Sequence, residues 1–61
     1  MKKYNIYCVR FTTLKFEHIV LECSVCDFNT EHAVDFARYL ISNSIEIHPD
    51  RLVLSSVTIE E

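Results

Sequence analysis

Sixty-one residues at a formal charge of −3, with nine acidic against six basic side chains, make one domain, 1–61, with no room for a second. The basic residues Lys2, Lys3, Arg10, Lys15, Arg38 and Arg51 are scattered, so no basic patch offers itself to nucleic acid. No stretch approaches the roughly 18 apolar residues of a membrane span, no apolar run follows Lys2-Lys3 as in a signal peptide, and an odd count of three cysteines argues against a disulfide framework and for a reducing cytoplasm.

Residues 3–12 read as a strand rich in β-branched and aromatic side chains, with Tyr4, Ile6 and Cys8 on one face and Tyr7, Val9 and Phe11 on the other. Thr12-Thr13-Leu14-Lys15 is the expected hairpin connection. Residues 16–26 read as the antiparallel partner, with Ile19, Leu21, Cys23 and Val25 on one face and His18, Glu22 and Ser24 on the other. Asn29 or Thr30 then offers an N-cap, and Glu31 sits where the helix dipole favours a negative charge. Ala33, Phe36, Ala37, Leu40 and Ile41 form the apolar stripe of a helix over 30–43, with Asn43 as its expected left-handed end. Residues 44–51 connect, with His48-Pro49-Asp50-Arg51 as a β-turn, and residues 52–60 form the last strand. The expected fold is α+β: a three-stranded antiparallel sheet with one helix packed on one face, in the order β-β-α-β. Glycine is absent, so any positive φ is expected at Asn or Asp.

One helix covers one face, so the other should be polar. Yet the first strand carries apolar residues on both faces, and the last places Val53, Val57 and Ile59 opposite Leu52 and Leu54. This surplus has two readings: scattered surface hydrophobes, which are ordinary in a thin domain, or an open face or edge strand buried against another chain, either a second copy or a target protein. If the second holds, the expected contact residues are Tyr7, Val9 and Phe11 on the open face, with Glu22 and Glu31 from an acidic middle segment that is either a solvated face or a patch that meets a basic partner.

The segment Glu22 to His32 carries the other candidate chemistry. Cys23 and Cys26 have C-x2-C spacing, and zinc needs four such ligands. If zinc binds, the set is Cys23, Cys26, His32 and His48; the alternative is a core strand running into a helix cap, with no metal and no cofactor. Cys23-Ser24-Val25-Cys26-Asp27-Phe28 resembles the knuckle of a two-Cys, two-His zinc finger, and Phe36 falls where the finger keeps a large apolar helix residue. Tyr39 and Asn43-Ser44 stand where its helix histidines would be. There is no phosphate loop, no paired carboxylate and no triad, so the chain is not expected to be an enzyme.

Phe16-Glu17 opening the second strand and Thr30-Glu31-His32-Ala33-Val34-Asp35-Phe36-Ala37 opening the helix resemble the small podovirus proteins that inhibit bacterial RNA polymerase. The likeness spans about forty residues and includes the β-β-α-β layout. It implies a phage-type accessory protein that binds a host protein stoichiometrically in the host cytoplasm and inhibits or redirects it. That family carries arginines on its last strand for polymerase contact; Val57, Thr58 and Ile59 stand here, so the target is not implied to be polymerase. The alternatives are a homodimer with a structural or regulatory role, and a zinc-stabilised mini-domain.

Overall fold

In the computed structural model, residues 3–15 and 19–60 are described. They form β1 (Asn5–Thr13), β2 (Leu21–Asp27), α1 (Thr30–Ile45), a 3-10 turn (Pro49–Arg51) and β3 (Leu52–Glu60). The sheet is antiparallel with strand order β2-β1-β3, which is the expected α+β layout with β1 in the centre. Residues 16–18, expected to open the second strand, lie outside the described residues. Ile19 and Val20 are not in a strand, and β2 begins at Leu21.

α1 lies mainly over β2 and β1. Its contact residues Ala33 and Ala37 are fully buried, and two methyl side chains in succession let the helix axis come close to the sheet. Beneath them Val9 and Phe11 are wholly removed from water, and Tyr7, Val25, Ile41 and Leu52 complete the core. Asn29 is the N-cap, with its Oδ1 accepting from the His32 N–H at 2.8 Å.

The helix ends later than the Asn43 expected from the sequence. Glu46 takes the left-handed conformation, at φ 53 and ψ 48, although Asn or Asp would suit it better. The reason is a bracket built on Ser42. Its carbonyl accepts from the N–H groups of Glu46 and Ile47, and its hydroxyl donates to the Ile47 carbonyl at 2.5 Å. The expected turn at 48–51 is the 3-10 turn, capped by His48, whose Nδ1 accepts from the Asp50 N–H at 3.2 Å.

The register between β1 and β3 slips once. Arg10 pairs with Ser56 and Phe11 with Leu54, which leaves Ser55 as an extra residue, a β-bulge. Side-chain alternation therefore resets at Ser55. Leu52 and Leu54 before the bulge, and Val57 and Ile59 after it, all share the helix side, since they pair with Thr13, Phe11, Val9 and Tyr7. This corrects the expectation that they lie on opposite faces.

Candidate functional site

Strand alternation and the position of α1 sort the predicted contact residues. Tyr7, Val9 and Phe11 are not on an open face; they form the floor of the core under the helix. The alternation was correct, and the face assigned to solvent was the covered one. The uncovered face carries Ile6, Cys8, Arg10 and Thr12 from β1, Glu22, Ser24 and Cys26 from β2, and Val53, Ser56, Thr58 and Glu60 from β3. It is a mostly polar face, as a sheet with one helix requires.

Glu22 sits on that face and accepts from Arg10 Nε at 2.8 Å, so it is tied to its neighbouring strand. The hydrogen bond and the adjacent guanidinium hold its carboxyl below the usual range. Both side chains are about half exposed, so the pair adds little stability. Beside it, Cys8 is buried at the centre of the sheet; burial first, and the Glu22 carboxylate second, push its thiol pKa up and keep it protonated. Glu31 is exposed in the first turn of α1.

Cys23 and Cys26 are three residues apart on a continuous strand. Cys23 packs against the core and Cys26 is exposed on the opposite face, so they cannot converge on one ion. His32 and His48 are committed elsewhere, one to Asp27 and the other to its 3-10 cap. Among the described residues no group of three or more His, Cys, Asp or Glu is placed to hold a metal.

The β2–α1 corner holds the tightest polar cluster. Asp27 is buried, and its carboxylate accepts from the Phe28 N–H at 2.8 Å and pairs with His32 Nδ1 at 2.5 Å. His32 is exposed at its outer edge and stacks on Phe28 at 6.4 Å between centroids; Phe28 in turn meets Tyr4 edge-on at 5.7 Å. The hydrogen bond to His32 is the main cause of the lowered Asp27 pKa, and the bond to Asp27 is the main cause of the raised His32 pKa. Because the Asp27 pKa is depressed on folding, its contribution is present above the unfolded value near 3.8 and is lost as pH falls through the folded value. Because the His32 pKa is raised, its contribution is present below 6.5 and is lost as pH rises through the folded value. Stability from this corner should therefore be flat between those two values and decline on both sides. Urea midpoints measured from pH 3 to 9 should show this, and His32→Gln should remove the alkaline decline and shrink the acid one, because the His32 bond is the largest influence holding the Asp27 pKa down.

A cavity of about 290 Å³ opens at the other end of the sheet between Thr13, Leu14, Lys15, Ile47 and Arg51. These described residues supply no thiol, imidazole or carboxylate, so they offer no acid–base pair.

What the helix leaves uncovered is the helix side of β3. Leu54 is 41% exposed and Ile59 51%, with Val57 half-buried between them. Arg38 forms the near wall of this trough. Its guanidinium lies over the Phe11 ring at 5.3 Å, and its Nε is buried without a hydrogen-bond partner among the described residues. The signal for this face was present in the sequence: the apolar positions change parity between Leu54 and Val57, which a strand accommodates only by a one-residue slip. No helix among the described residues is long and apolar enough to cross a membrane. No family model, curated protein or solved structure matches this chain.

Proposed function

We propose that this chain is a protein-binding module that acts stoichiometrically, by occupying a surface of its partner. The observation that carries this reading is the helix side of β3, where the bulge at Ser55 sets Leu54, Val57 and Ile59 on the same face as the buried Leu52, and Leu54 and Ile59 remain exposed. Aliphatic side chains flanked by a fixed arginine suit an apolar partner segment that carries a carboxylate. The resemblance to podovirus inhibitors makes a bacterial host protein the first partner class to test.

The test is affinity capture from bacterial lysate with wild type, Leu54→Asp, Ile59→Asp and Arg38→Gln side by side. A protein retained at 1:1 by wild type and weakened about 10-fold or more by each trough variant supports the reading. A partner held equally by all four places binding elsewhere, and no stoichiometric partner in any lysate defeats the proposal.

A further inference from the structure

The sheet has two edges, and they differ. β3 is interrupted near its middle by the Ser55 bulge, a common device that spoils an edge for pairing. β2 has no such guard. It pairs with β1 in unbroken register over seven residues, and it contains no proline, lysine or arginine. Its one unburied charge, Glu22, is neutralised by Arg10. Among the described residues no backbone group bonds to its outer side. Such an edge is a template for another strand.

The helix flank above this edge is also unfinished. His32 reaches β2 through Asp27, while Arg38, on the other flank, lies over Phe11 of β1. The i, i+4 row His32–Phe36–Leu40 therefore overhangs β2. Phe36 is 46% exposed and Leu40 37%. Their position along the strand follows from the short corner. Ser24 lies three residues, about 10 Å, before the end of β2, and Phe36 lies six residues, about 9 Å, into α1. Phe36 thus stands above Ser24.

We infer that β2 pairs antiparallel with β2 of a second copy, about a twofold axis at Ser24. This goes beyond the binding reading above and uses the opposite edge. In that register Cys23 falls opposite Val25 of the second copy on the helix side, and Ser24 opposite Ser24 on the polar side. Charges do not collide: Glu22 falls opposite Cys26 of the second copy, and Asp27 opposite Leu21. The two helices lie on the same face of a six-stranded sheet and bring the Phe36–Leu40 rows together over the seam.

Sedimentation equilibrium of wild type from 5 to 500 µM tests this, together with Phe36→Glu and Ser24→Lys, both at solvent-exposed sites. A wild-type dimer, with the dissociation constant raised about 30-fold by Phe36→Glu, is expected. Unchanged far-UV circular dichroism of the variants shows that the fold survives. Independently, Ser24→Cys in a Cys26→Ser background should form a crosslinked dimer under copper–phenanthroline oxidation, since facing strand residues lie within disulfide reach. Thr58→Cys in the same background should not. A monomer at 500 µM overturns the inference, as does a dimer that both seam variants leave intact, or crosslinking at Thr58 in place of Ser24. Loss of partner capture in the trough variants with the dimer retained would leave this inference standing and separate it from the function proposed above.

Discussion

Phe11→Ala is expected to leave the chain largely unfolded at 25 °C. Among the described residues Phe11 is the largest side chain fully removed from water, on the central strand, with Ala33, Ala37 and Ile41 in the core cluster above the sheet. Truncating a buried phenylalanine costs about 3–5 kcal/mol, because the lost transfer energy adds to a cavity the surroundings fill only in part. A chain of this length has a total stability of roughly 3–9 kcal/mol, so one substitution consumes much or all of it. The guanidinium of Arg38 also loses the ring it covers. Far-UV circular dichroism during urea titration gives the answer directly. The matched control is Phe28→Ala: Phe28 is 45% exposed, so its loss should cost about 1 kcal/mol or less. Equal effects from the two would mean that the core does not lie under the helix.

Ala37→Leu should be the next most damaging change, for the opposite reason. Ala37 is fully buried where α1 approaches the sheet, so three more carbons must be fitted into the core. Overpacking of this kind costs about 1–3 kcal/mol, and each kcal/mol lowers the melting temperature of a domain this size by about 4–8 °C. Leucine is as good a helix former as most residues, so propensity does not explain a loss. A drop of 5 °C or more supports close helix–sheet contact; a change within 1–2 °C would show a loose layer. The same substitution at Tyr39, which is 60% exposed on the same helix, should be nearly silent.

Those two residues also show how far the sequence could be read. The order of elements, the Asn29 cap and the alternating sets on β1 rest on neighbouring residues, and local chemistry determines them. Which set faces the helix does not. Tyr4, Ile6 and Cys8 are as apolar as Tyr7, Val9 and Phe11, and only the approach of Ala33 and Ala37 from far along the chain decides between them. The open face was misassigned for that reason: Tyr7, Val9 and Phe11, three of the five expected contact residues, are core, while Glu22 and Glu31 are exposed and Glu22 is paired across strands with Arg10. The helix end was misread because Ser42 outweighs Asn43, through two carbonyl bonds and a hydroxyl bond whose partners lie in the following loop. The C-x2-C spacing suggested a ligand pair only while a turn was conceivable; on an extended strand, three residues place the two thiols on opposite sides.

The bulge at Ser55 has a consequence for growth. A chain with two competent strand edges can always accept another copy, and such addition has no natural end; it produces fibres. A chain with one competent edge saturates after a single addition. If β2 pairs with a second copy as inferred above, one surplus residue in β3, placed where no glycine or proline announces it, would separate a closed particle from an open polymer.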